Sequence, residues 1–154
     1  MRRGLLLTGI TAAVLVLAGC GSRTGERLTQ AEFKAKTDAI CAAYTERAER
    51  ELGSSNIDPT SPSASPLEIA QFSRLIGQVA RLFGAQLDDL RAVRPPAEEA
   101  RRYSEILRLY GQVETALGRV ARAARKGDRR ALAVLGKELD AVGRQVDALG
   151  FTCE

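Results

Sequence analysis

Histidine is absent from the 154 residues of this chain, and the absence excludes much. Without an imidazole there is no Ser-His-Asp or Cys-His catalysis. There is no His-bearing zinc site, no di-iron bundle built on Glu-x-x-His and no His-ligated haem. Tryptophan is missing too, which removes a Trp-lined platform for sugars. Lysine is scarce, supplying four of the 23 basic side chains; with abundant alanine and glycine this marks GC-rich codons, not a function. The 23 basic and 19 acidic groups are too evenly balanced for a dedicated nucleic-acid binder. No segment alternates apolar and polar residues with period two, so strands are not expected. No catalytic, metal or cofactor motif stands out. The expectation is a protein that is not an enzyme and carries no cofactor.

What is present begins with an export pattern. Arg2 and Arg3 supply a positive start, and Leu5 to Ala18 form an uncharged apolar run too short to span a bilayer comfortably. Small residues close it. The ending Leu17-Ala18-Gly19-Cys20 resembles the lipobox of bacterial lipoproteins. That resemblance implies that residues 1–19 are a cleaved signal peptide. It implies that Cys20 receives a diacylglycerol thioether and becomes the acylated amino terminus. The partner so implied is the membrane, and the location is the extracytoplasmic face of the cell membrane. Cleavage after residue 19 leaves 135 of the 154 residues, with 21 basic groups against 19 acidic. That suits one domain with a real core.

With Cys20 assigned to the anchor, Cys41 and Cys153 remain. An even pair in an exported chain is expected to form a disulfide, two buried free thiols being the alternative. A loop of 112 residues closed this way is worth on the order of 4–5 kcal/mol in the chain-entropy picture.

Residues 20–28 read as the lipidated terminus and a flexible tether, and 29–154 as the folded domain. Residues 21–28 reach at most about 28 Å, so the domain sits close to the membrane. Thr29 and Glu32 form a capping box, and Leu28 and Phe33 a hydrophobic staple. Phe33, Ile40, Tyr44, Ala48 and Leu52 then follow helical spacing up to Gly53. Residues 53–65 (GSSNIDPTSPSAS) are a Ser/Pro linker, expected to be a mobile connector. Helix two has Ser65 as N-cap, Pro66 at N1 and Glu68 at N3. Its stripe of Ile69, Phe72, Ile76, Val79, Phe83, Leu87 and Leu90 is widened by Leu75 and Leu82, so it is expected to be the most buried helix. Arg94-Pro95-Pro96 stops it. Helix three (Tyr103, Ile106, Tyr110, Val113, Leu117, Val120, Ala124) alternates spacings of three and four until Gly127. Asp128 caps helix four, which runs Leu132, Leu135, Leu139, Val142, Val146, Leu149 to a glycine close at Gly150-Phe151.

These elements specify an all-α fold, an antiparallel up-down four-helix bundle closed by one disulfide. Helix four then ends beside the start of helix one and brings Cys153 towards Cys41. Cys41 lies roughly 18 Å along helix one from Thr29. Either that helix starts later than its capping box says, or its first turns project beyond helix four; projection is preferred.

Four groups of residues are candidates for chemistry. Arg119, Arg122, Arg125, Lys126, Arg129 and Arg130 crowd the turn between helices three and four, opposed only by Asp128. Cations at a helix end are expected from the dipole, but Arg129 and Arg130 sit at a helix start, where the dipole repels them. The group is either a basic interaction tip, facing an envelope protein or an anionic wall polymer, or a solvated helix end. Gly77 and Gly84, Gly111 and Gly118, and Gly136 and Gly143 are glycine pairs seven apart. They are either strips for close helix approach or a groove, or a product of composition. Asp88-Asp89 and Glu98-Glu99 are adjacent carboxylates, but neighbours on a helix point about 100° apart. Tyr44, Tyr103 and Tyr110 fall on apolar stripes and read as core residues with wetted hydroxyls.

Thr37-Asp38-Ala39-Ile40-Cys41 and Ala148-Leu149-Gly150-Phe151-Thr152-Cys153 together are similar to a pattern found in small helical lipoproteins and exported proteins of actinobacteria. Those pair D-x-[IV]-C near the first helix with L-G-x-x-C near the end. The resemblance implies an envelope location and a disulfide-closed helical fold, and it implies no activity. The expected function is a membrane-anchored binding or scaffold module in the cell envelope. The alternative is a carrier or sensor of a small apolar ligand, held between helices two and three where aromatics and glycines coincide. A well-formed cavity favours the ligand; a solid core with an exposed apolar or basic patch favours a partner.

Overall fold

A computed structural model describes residues 27–52, 57–151 and 153. Cys20, the leader and residues 21–26 lie outside the described residues. Four helices account for the fold: α1 Gln30–Leu52, α2 Pro66–Arg91, α3 Ala100–Lys126 and α4 Arg129–Ala148. There is no strand among the described residues. None of the four helices is long and apolar enough to cross a membrane.

The helix ends follow the capping chemistry of the sequence. The Thr29 backbone N–H donates to Glu32 Oε2 (2.9 Å) and the Glu32 N–H to Thr29 Oγ1 (3.3 Å), so both halves of the first capping box form. Ser65 and Glu68 do the same for α2 at 2.7 and 3.2 Å. At the end of α3, Gly127 adopts φ 66°. Its N–H donates to the Ala124 carbonyl and that of Asp128 to the Ala123 carbonyl, both at 3.0 Å, which is a Schellman close. Asp128 then caps α4 through the Ala131 N–H (2.9 Å). Gly150, at φ 63°, turns the chain after α4.

The four helices run up, down, up and down, but the bundle is not closed on all sides. α1 packs on α2, α2 on α3, and α3 on α4. No Cα of α1 lies within 8 Å of one in α4. The first turn of α1 instead seats against the α2–α3 connection, where the Leu28 N–H meets the Arg94 carbonyl (3.3 Å) and Gln30 Nε2 meets Glu99 Oε1 (3.1 Å). α1 therefore begins where its capping box places it, and its first turns project past the level at which Cys153 arrives. What joins α1 to the far side is the segment after α4. Arg102 holds that segment by donating to the Leu149 (2.7 Å) and Gly150 (2.9 Å) carbonyls. Phe151 turns inward, and Cys153 reaches Cys41 as a disulfide pair with Cα atoms 5.0 Å apart, inside the range such a bridge requires.

Two core clusters result. The lower one contains Phe33, Leu87, Leu90, Tyr103, Ile106, Leu109, Tyr110, Val142 and Val146. The upper one is built from Val120, Ala123, Ala124, Leu132 and Leu135. The expectation that α2 is the most buried helix is corrected. That place belongs to α3, which lies between α2 and α4 and buries both Tyr103 and Tyr110, whereas α1 covers only part of α2. The Ser/Pro linker has local structure over its described part. Residues 57–64 fold into turns around Asp58, which accepts from the Thr60 N–H (2.9 Å) and Oγ1 (2.7 Å). Arg129 then fastens this segment by donating to the Ala64 (2.7 Å) and Pro62 (3.3 Å) carbonyls. That bond accounts for a cation at a helix start, where the dipole alone disfavours one.

Candidate functional site

Because α1 and α4 do not meet, a groove of about 490 Å³ runs between them, which is within the range of small-molecule sites. Tyr44, Ala48 and Leu52 of α1 form one wall, and Gly143, Val146 and Asp147 of α4 the other. Its floor is Val79, Leu82 and Phe83 of α2 with Tyr110 and Val113 of α3, and Phe151 and Cys153 close the lower end. The lining is mostly apolar with a few polar groups, as a site for a small apolar molecule requires.

Two lining side chains fix the α1 wall and the lower end. Tyr44 donates its hydroxyl to Asp89 Oδ2 (2.9 Å), clamping α1 to α2 at the lip. Gln86 donates to Cys153 Sγ (3.2 Å) and holds the tail against α2. Gly143 opens the α4 wall, since a Cβ placed there meets nothing within 4 Å. Tyr110 is 7% exposed, yet its hydroxyl makes no hydrogen bond among the described residues. Burial pushes its pKa up to about 12, and the nearby Asp147 carboxylate adds to the shift. The phenol is therefore neutral at ordinary pH and keeps a proton to donate.

The aromatics at which helices two and three are expected to hold a ligand form the floor of this groove. α2 and α3 pack face to face, and their aromatics Phe83 and Tyr110 touch with ring centroids 5.3 Å apart, forming the groove floor. The glycine pairs do not serve close helix approach. A Cβ at Gly84 meets Glu114 Oε1 at 3.1 Å, and one at Gly111 meets an Arg91 nitrogen at 3.7 Å, so side-chain tips lie across these glycines. Gly136 faces open space like Gly143.

The basic tip divides. Arg119 is neutralised across the α3–α4 interface by both oxygens of Glu138 (2.8 and 2.9 Å). Arg129 is spent on the linker carbonyls. Arg122, Arg125, Lys126 and Arg130 make no ion pair among the described residues. The adjacent carboxylates are separately engaged: Asp89 accepts from Tyr44, Asp88 pairs with Arg91 (2.9 Å) and Glu99 with Arg102 (3.0 Å). Tyr103 is core, its hydroxyl donating to the Leu90 carbonyl (2.8 Å). Sequence reasoning missed Gln86 and Asp147 in the groove, because polar residues beside a stripe signal nothing until the neighbouring helix is placed. Set against known protein families, curated proteins and solved structures, the chain matches none of them.

Proposed function

We propose that this protein is a binding module held by lipid at Cys20 on the extracytoplasmic face of the cell membrane, and that its ligand seat is the α1–α4 groove. The leader pattern with its Leu-Ala-Gly-Cys ending supports the location. A long-range cysteine pair fits it too, since such bonds persist in oxidising compartments. The observation that carries the binding reading is an apolar trough whose floor holds the Tyr110 hydroxyl, open to the groove and without a protein hydrogen bond among the described residues. A phenol hydroxyl without a protein partner keeps its proton to donate to a ligand acceptor. The ligand class is a small, mainly apolar molecule with one hydrogen-bonding group.

The test uses Nile red, a neutral apolar dye, so that the basic tip does not attract it. The wild-type chain is expected to bind it saturably with a blue-shifted emission. Gly143→Leu fills the open side of the groove without strain, because Gly143 is not at positive φ. It is expected to abolish binding and to leave the melting temperature unchanged or raised, as leucine is the better helix former. Equal binding by wild type and variant would overturn the groove. For the anchor, the mass of the native amino terminus is decisive: an unmodified Cys20, or a start elsewhere, overturns it. Cys20→Ser is expected to move the protein from the membrane fraction to the soluble one.

A further inference from the structure

The upper end of the bundle carries a second concavity, independent of the groove. It lies between the first turns of α2 and the end of α3 and has a volume of about 710 Å³. Its floor is apolar, formed by Pro66, Ile69 and Ala124. Its rim is cationic, with Arg74 from α2 facing Arg125 and Lys126 from α3. No carboxylate lines it.

Three observations single this cleft out. First, the charge is uncompensated. Several arginines elsewhere are matched, as in Arg47–Glu51 (2.7 Å), Arg108–Glu105 (2.6 Å) and Arg119–Glu138 (2.8 Å). Arg74, Arg125 and Lys126 have no such partner among the described residues. In a chain of nearly balanced charge, three unpaired cations converging from two helices form a local field for an anion. Second, Ser73 lines the same cleft, and its hydroxyl is accessible there and has no hydrogen bond among the described residues. It can donate to an anion seated between the cations. Third, Leu67 is 64% exposed and shares a helix face with Ala70 and Arg74, so the apolar floor continues outward. Arg129, bound to the Ala64 carbonyl at 2.7 Å, braces the linker beside the cleft.

We propose that this cleft binds a phosphate ester carried on an apolar body. The phosphate sits among Arg74, Arg125 and Lys126 and accepts the Ser73 hydroxyl. The apolar part lies over Ile69 and Ala124 towards Leu67. A phosphate is favoured over a carboxylate because its several oxygens can satisfy two guanidinium forks, an ammonium and a hydroxyl together. The same group is offered by an anionic phospholipid in a membrane or by a soluble ester, and the experiment separates the two.

The full chain carrying Cys20→Ser is titrated with inorganic phosphate, with dihexanoyl phosphatidic acid below its micelle concentration, and with phosphatidylglycerol vesicles against phosphatidylcholine vesicles. Backbone amide shifts at Ser73 and Gly127 report occupancy, and sedimentation reports vesicle binding. The short-chain ester is expected to saturate these shifts, at least tenfold more tightly than inorganic phosphate. Arg74→Gln combined with Arg125→Gln is expected to weaken it tenfold or more, and Ser73→Ala severalfold, with the melting temperature unchanged. Gly143→Leu leaves it unaltered, which separates this site from the groove. Binding to phosphatidylglycerol vesicles as well assigns the membrane as the source; binding to the soluble ester alone assigns a soluble ligand. Three results overturn the proposal: no saturable shift with the ester, inorganic phosphate binding as tightly as the ester, or vesicle binding that survives the double arginine variant.

Discussion

The lower and upper halves of this bundle use different building materials. Below, parts of all four helices and the carboxy-terminal segment surround one core, and large side chains fill it. Phe33 meets Tyr103 edge-on at 4.9 Å, Tyr103 lies 6.3 Å from Phe151, and Phe151 lies 5.9 Å from Tyr110. Leu87 and Leu90 are fully enclosed there. Above, α1 is absent from the core, three helices remain, and the interior shrinks to Val120, Ala123, Ala124, Leu132 and Leu135 with Phe72 and Ile76 half-covered. Small residues let α3 and α4 close on each other where no fourth element fills the space. The lesson is that the largest side chains gather where four elements meet; the groove opens there because α1 and α4 stay apart, and the upper cleft opens above the reach of α1.

The severest test of that contrast removes the lower half's covalent link. Cys41→Ser is expected to cost about 4–5 kcal/mol, read from denaturant midpoints, because the loop it opens spans 112 residues. An unchanged midpoint would mean that the lower half does not set global stability. Next come paired truncations. Leu87→Ala is expected to cost about 3–5 kcal/mol and Leu135→Ala about 2–3, since the three-helix region can collapse further around a void. Equal losses would erase the distinction.

Alkaline pH addresses the lower half alone. Burial raises the Tyr103 pKa strongly and lifts Tyr110 from 10.0 to about 12. Both folded values lie above the unfolded one, so their stabilising effect is intact below pH 10 and is lost as pH climbs from there towards 12. Tyr110 alone accounts for on the order of 2 kcal/mol. Tyrosinate absorbance is expected to show Tyr44 ionising first and the other two only as helicity disappears; three tyrosines titrating together in a folded protein would contradict it. The smallest effects lie in the upper half. Gly136→Ala, with open space around its Cβ, is expected to gain about 0.5–1 kcal/mol from helix propensity. Gly127→Ala, at φ 66°, is expected to lose about 1 kcal/mol although nothing crowds it. A thermal melt of each distinguishes backbone conformation from space.

The helices were legible because their ends are local. A capping box, a glycine in the left-handed region or a prolyl stop acts within a few residues, so Thr29, Ser65, Gly127 and Asp128 marked the boundaries directly. The cysteine pair was legible by elimination. The groove was not, because periodicity shows which face of α1 is apolar and not that Tyr44, Ala48 and Leu52 would face α4 across a gap. α1's stripe is narrow, with Thr37 and Cys41 on its buried face beside Phe33, and offers nothing for α4 to pack on. Arg74 was equally silent. In sequence it is one cation on the polar side of α2, and only folding carries it to the end of α3.

The Cys41–Cys153 pair also governs how the domain meets tension. A ligand gripped at the upper tip and a membrane gripping the amino terminus would pull from opposite poles. Force entering at the start of α1 peels only its first turns before it reaches Cys41. There the load has two routes, along α1 and across to the tail that Arg102 fastens at Leu149 and Gly150. The stretch of chain between the two sulfurs, with nearly all of both cores on it, is spared sequential unravelling, as a stitched hem spares the cloth above it.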